Sequence, residues 1–259
     1  MCFFTFQVWE KVRVSSIRSE LESAVVPSEY SHVLKKPNLL DISIKKTFEI
    51  YCKLLFTFYC PLTIKGRENI PASSFIFCSN HNSHMDSGIL MVASGMPFKN
   101  FAMIAAKDYF FDSNKRNYLS LLMNLIPIER NADRKSIIDY LTACREFTRN
   151  GNRNLIVYPE GTRSLTGKIQ VFKKGPAMIS AELNLPIVPA FISGSFKAWP
   201  KGKVFMKPSK LKIIIGKPIY PDEYIYNNEM EGNNFQAYKK ITEELTKRIH
   251  RLSSGEGNA

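Results

Sequence analysis

This chain lacks the loop signatures by which many enzymes hold a nucleotide or present a serine nucleophile. It has no Walker A loop and no GxGxxG, so nucleotide binding through either is not indicated. It has no G-x-S-x-G, and Ser193-Gly194-Ser195 is without the flanking pattern of a nucleophile elbow. The five cysteines (Cys2, Cys52, Cys60, Cys78, Cys144) are odd in number, scattered and never in CxxC spacing. That argues against a disulfide framework or zinc ribbon and for a reducing compartment. No recognisable nucleic-acid-binding module is present, which leaves nucleic acid out as the expected partner. Long apolar runs are missing too. The most hydrophobic stretch, residues 51–64, would rise about 21 Å as a helix against a hydrocarbon core of about 30 Å, and Lys53 and Pro61 interrupt it. The first residues have no basic n-region, and their apolar run is broken by Thr5 and Gln7, so no signal peptide is expected there.

What the chain does have is positive charge. Its 259 residues carry 36 Lys+Arg against 23 Asp+Glu, a formal +13 that suits an anionic partner such as acidic lipid or a phosphorylated substrate. The length fits one large domain with a small helical appendage. We expect residues 1–64 to form an N-terminal helical, membrane-associating segment, 65–252 an α/β domain, and 253–259 a disordered tail. For residues 51–64 two readings stand side by side: an aromatic-rich helix lying on a bilayer, or an ordinary buried helix capping the core. The basic charge favours the membrane.

Beyond Pro71 short apolar runs alternate with amphipathic segments and polar turns, the texture of an α/β fold with a mixed, largely parallel sheet flanked by helices. The strand candidates are residues 75–78, 101–105, 125–128, 155–158, 187–192 and 211–215. Ile137, Leu141, Cys144 and Phe147 recur at helical spacing before Gly151 and predict a crossover helix. Residues 174–185 predict another, and Phe235, Tyr238, Ile241, Leu245 and Ile249 a final amphipathic one.

The polar residues able to do chemistry follow the ends of these strands, the edge where open α/β sheets bind ligands. His81 and Asp86 follow the first, Lys107 and Asp108 the second, Glu129 and Arg130 the third, and Glu160, Gly161, Thr162, Arg163 and Ser164 the fourth. A lone Lys-Asp or Glu-Arg pair is ordinarily a solvated surface pair; four clusters at strand exits are harder to dismiss. On a regular helix His81 and Asp86 would point about 140° apart, so they can meet only across a bend. If they do, the carboxylate accepts the Nδ1 proton and leaves Nε2 as a base. His81, His84 and Asp86 invite comparison with zinc-hydrolase signatures, but the spacing is off by one, and the other histidines, His32 and His250, lie near opposite ends of the chain. We therefore expect no metal. In Tyr158-Pro-Glu-Gly-Thr-Arg163 the proline ends the strand, Gly161 permits close backbone approach to a ligand, and Arg163 offers a fork to phosphate.

Taken in order, these blocks resemble the glycerolipid acyltransferase family, including the 1-acylglycerol-3-phosphate and lysophospholipid O-acyltransferases. Asn80-His81-Asn-Ser-His-Met-Asp86 looks like the family's NHxxxxD block, and Lys107 with Ile128-Glu129-Arg130 stands where its second block lies. Tyr158-Pro-Glu-Gly-Thr-Arg-Ser164 looks like its F-P-E-G-T-R-S block, with Tyr158 in place of the more usual Phe, followed by Phe172-Lys173-Lys174-Gly175. Leu185-Pro-Ile-Val-Pro-Ala190 resembles the fourth block, and the likeness covers about residues 66–220.

The resemblance implies a transferase of phospholipid biosynthesis or remodelling, working at the cytoplasmic face of a membrane as a peripheral or monotopic protein. His81 would deprotonate the free hydroxyl of a lysophosphatidate or lysophospholipid, which attacks the thioester of acyl-CoA or an acyl-carrier protein, with Asp86 orienting the imidazole. Lys107, Arg130, Glu160, Gly161, Thr162, Arg163 and Lys173 would bind the acceptor. No cofactor beyond the acyl donor is implied. Glycerol-3-phosphate or a specialised lipid is the alternative acceptor, and a lipid-binding protein without turnover the alternative class. The lysines from Lys197 to Lys212 around Trp199 suit anionic headgroups, an acidic carrier protein or CoA phosphates, or are simply solvated.

Overall fold

The computed structural model describes residues 17–35, 38–107, 122–129, 132–149, 152–225 and 234–255. Its centre is a seven-stranded sheet in the order β1-β7-β6-β2-β5-β3-β4. The strands are β1 (Leu62–Lys65), β2 (Ile76–Ser79), β3 (Phe101–Ala106), β4 (Asn124–Ile128), β5 (Asn154–Val157), β6 (Ile187–Ser193) and β7 (Leu211–Ile215). All neighbours pair in parallel except β6 and β7, so β1 and β7 run against the other five. The inner strands β2 and β5 are buried at every position, as a parallel sheet covered on both faces requires.

The longer helices are α1 (Ile17–Ser23), α2 (Leu39–Leu54), α3 (Asp86–Ser94), α4 (Arg134–Arg149), α5 (Gly175–Leu183) and α6 (Asn234–Ser254). Strand alternation sorts them into two layers. Ile76, Cys78 and Leu155 join the core with α1, α4, α5 and α6, whereas Phe75, Phe77 and Ile156 join α2 and α3 on the other face. All six expected strands are present, and the helices expected around Ile137 to Phe147, over 174–185 and over the last stretch form.

The greasy stretch departs from expectation. It is not one helix over 51–64: α2 begins much earlier, at a capping box in which Asn38 and Asp41 bond each other's backbone N–H. It runs through a π-turn (Leu55–Tyr59) and stops before Pro61, and the chain then enters β1, which pairs with β7. The boundary expected at residue 64 therefore falls inside a strand of the sheet. The faces of this stretch differ. Cys52 and Phe56 are buried in the core, while Tyr51, Leu54 and Phe58 face outward. Gly88 lets α2 and α3 close up, since a Cβ there would lie 3.3 Å from Cys52 Sγ and 3.5 Å from Phe56. Among the described residues no helix is long and apolar enough to cross a membrane.

Candidate active site

β2 lies between β5 and β6, and the segments leaving these three strands meet at one edge. Asn80 makes the first link: where β2 ends, its side-chain amide donates to Ile192 O (2.9 Å) and accepts from Ile192 N (2.8 Å), continuing the β2–β6 ladder by one side chain. That anchors the turn which carries His81.

His81 Nδ1 lies 3.0 Å from Asp86 Oδ2 across the turn. Asp86 opens α3, where the helix dipole favours a carboxylate. The same Oδ2 accepts from the backbone N–H groups of Asn82 and Ser83, each at 2.7 Å. Three N–H groups thus converge on one buried oxygen and close the bend that brings the pair together. A carboxylate only accepts, so Nδ1 carries the proton and Nε2 has the free lone pair. The Asp86 side chain is fully buried, whereas the His81 side chain keeps 18% exposure.

The segment after β5 wraps the histidine. His81 N donates to Glu160 Oε1 (2.9 Å), and Ser164 N donates to His81 O (2.7 Å). Glu160 Oε2 accepts from Gln170 Nε2 at 2.8 Å. Both Glu160 oxygens are thereby engaged by the protein, and burial raises its carboxyl above the usual range against those bonds. Gly161 adopts φ +69°, and a Cβ there would meet Lys173 Nζ at 2.9 Å, so glycine is what seats the lysine beside this turn. Arg163 is buried next to it, and Thr162 is exposed with its carbonyl accepting from Gln170. Tyr158 stacks on the His81 ring, centroids 3.7 Å apart and planes 9° from parallel.

The segment after β6 closes the third side. Ser83 Oγ donates to Trp199 O (2.7 Å), and the edge-exposed His84 ring tilts against Trp199 at 5.4 Å. Desolvation, then the charges of Arg163 and His81, lower His84 to about 4 and keep it neutral near pH 7.

The structure therefore gathers His81, Asp86, Glu160, Gly161, Thr162, Arg163 and Lys173 around one turn. It does not bring Lys107 there. That residue follows β3, two strands from β2 and so about 10 Å across the sheet. Its Nζ is paired with Glu129 (3.1 Å) and Glu29 (3.2 Å). Those two hydrogen bonds, Glu129 first, raise its pKa. Arg130 lies outside the described residues. Sequence reasoning gave Asn80, Ser87 and Gln170 no role as supports; Asn80, heading the block before His81, and Ser87, next to Asp86, had a local signal, and Gln170 had none. Among the described residues no three His, Cys, Asp or Glu side chains gather as a metal-ligand set.

Residues 61–193 match the family model described as Acyltransferase. A chloroplastic 1-acyl-sn-glycerol-3-phosphate acyltransferase of Brassica napus is 32% identical over 169 residues, which is 64% of this chain and 47% of that one. Its counterpart in Arabidopsis thaliana is 31% identical, covering 64% of this chain and 45% of its own length. The chain thus spans about half the length of these curated relatives. The crystal structure of the 1-acyl-sn-glycerophosphate acyltransferase PlsC from Thermotoga maritima superposes with a TM-score of 0.61 at 27% identity, covering 87% of this chain and 86% of that one.

Proposed function

The chain belongs to the acyltransferase family, and on that premise we propose that it moves a fatty acyl group from acyl-CoA or acyl-carrier protein to the free hydroxyl of a lysophosphatidate. The observation that carries this reading is the His81 Nδ1–Asp86 Oδ2 bond of 3.0 Å, with Asp86 sealed from solvent and the imidazole open to it. Nε2 takes the hydroxyl proton as the oxygen attacks the thioester carbonyl carbon. The tetrahedral adduct collapses, the C–S bond breaks, and the departing thiolate receives the proton from the imidazolium. Ester and free thiol are the products, and the atoms balance without a cofactor or a covalent acyl-enzyme. Arg163 and Lys173 supply positive charge for the acceptor phosphate beside Gly161, and holding both substrates in place supplies much of the remaining rate. The plant relatives and the Thermotoga protein bear the name of this activity, which supports lysophosphatidate as the acceptor.

The test is an acceptor panel. Purified protein with oleoyl-CoA should release thiol with lysophosphatidate and form phosphatidate in equal amount. Faster turnover of glycerol-3-phosphate or lysophosphatidylethanolamine would reassign the acceptor, and no acceptor-dependent thiol would remove the reading.

The partner we propose is an anionic membrane surface, met from its cytoplasmic side. Phe58, 77% exposed, continues the outward face of α2. Tyr59 Oη donates to Met206 O (3.2 Å), joining that face to a loop where Phe205 is 85% exposed and Lys201, Lys203 and Lys207 are exposed as well. Aromatic side chains rimmed by lysine suit an interface with acidic headgroups. Replacing Phe58 and Phe205 together by Ser should weaken binding to phosphatidylglycerol vesicles by roughly tenfold or more. It should leave activity on a water-soluble short-chain acceptor intact. Unchanged vesicle binding in a sedimentation assay would refute this surface.

A further inference from the structure

Asp86, the first residue of α3, bonds the imidazole directly. The next, Ser87, is buried, and its Oγ lies 2.7 Å from the hydroxyl of Tyr158, the ring stacked on His81. Ser87 Oγ also lies 3.2 Å from Met103 Sδ on β3, which fixes the serine against the sheet. Burial raises the Tyr158 phenol well above its usual range, so it keeps its proton and its bond. The first turn of α3 therefore controls the imidazole in two ways. Asp86 fixes the Nδ1 edge directly, and Ser87 fixes the plane of the ring through Tyr158.

We infer that Tyr158 and Ser87 are a positioning pair, holding the His81 ring in the plane from which Nε2 meets the acceptor hydroxyl. A ring held only at Nδ1 can still swing about that bond, and a flat aromatic face at 3.7 Å removes the swing. The same face attracts the imidazolium formed when the proton is taken, as an aromatic face attracts a cation within about 6 Å. The other charged or titratable groups nearby are Asp86 at Nδ1, Glu160 at the backbone N–H, and His84, which feels the charges of Arg163 and His81. Phenylalanine at this position would keep the face and lose the tie to α3.

This inference rests on the proposed reaction for its kinetic arm but has a spectroscopic arm that does not. In protein labelled with ¹⁵N-histidine, the His81 Nδ1–H, identified by its loss in His81→Ala, should exchange slowly with water in wild type. It should persist in Tyr158→Phe and vanish in Tyr158→Leu. In turnover, Tyr158→Phe and Ser87→Ala should each lower kcat by about threefold, the effect of one lost neutral hydrogen bond. The double variant should be no worse than either single one, because both remove the same link. KM should stay within about twofold, and Tyr158→Leu should lose about tenfold or more in kcat. A slow-exchanging Nδ1–H in Tyr158→Leu would overturn the inference. So would losses of Tyr158→Phe and Ser87→Ala that multiply, or an effect confined to KM. Should Tyr158→Leu not fold, the Phe and Ser87 variants decide.

Discussion

His81→Ala is expected to lower kcat by about 10²- to 10⁴-fold, the contribution of a positioned general base, with a much smaller change in KM. The fold should survive. The backbone of residue 81 keeps its bonds to Glu160 and Ser164, Asp86 keeps the two N–H groups of Asn82 and Ser83, and the Tyr158 hydroxyl stays tied to Ser87. Circular dichroism and thermal melting should thus match wild type closely while thiol release collapses. Equal rates for wild type and variant would show that some other group takes the proton.

Asp86→Asn is expected to cost about as much or more, roughly 10³- to 10⁴-fold in kcat, by analogy with loss of the orienting carboxylate in serine-protease triads. If the amide oxygen keeps the Oδ2 position, the three N–H donors remain satisfied but the negative charge facing the imidazolium is gone. A turned-over amide would set its NH₂ against the N–H groups of Asn82 and Ser83 as well as against Nδ1, so those two donors hold the oxygen in place. The chemistry therefore suffers more than the fold. Asp86→Ala differs, since it strands the buried N–H groups of Asn82 and Ser83. Each such orphan costs about 1–3 kcal/mol, so that variant should also melt measurably earlier. A carboxylate that only shaped the turn would give the opposite pattern: a lowered melting temperature in Asp86→Asn with kcat near wild type.

The parts of this site that could be read in the sequence are those made within a single turn. His81 and Asp86 announce a bend because no helix can bring them together, and Gly161 announces a close approach by residue type alone. The sheet was equally readable where strands are buried on both faces, since residues 75–78 and 155–157, which make up most of β2 and β5, are uninterrupted apolar runs. β1 was not, because four residues at the edge of a sheet carry too little pattern to stand out from the adjoining helix. Long-range neighbours were the other limit. Lys107 stands directly after a strand, as do the site residues, but only the strand order reveals that β3 lies beyond β5 and that Glu29 and Glu129 hold the lysine there. Glu160 likewise reads as a ligand group from its motif. In the structure it holds the His81 and Gln170 N–H groups, a role set by two segments that the sequence does not show meeting. For Tyr158 the residue letter gives an aromatic ring but not which face it turns to His81.

The central claim is direct transfer: the acceptor hydroxyl, with its proton given to His81, attacks the thioester itself. Acceptor dependence of thiol release tests this most directly, measured with oleoyl-CoA before and after adding lysophosphatidate, together with the intact mass of the protein. The account predicts little thiol and an unchanged protein mass without acceptor, then thiol and phosphatidate in equal amounts once acceptor is present, and neither in His81→Ala. An oleoyl adduct on the protein, or thiol released at the same rate without acceptor, would contradict it.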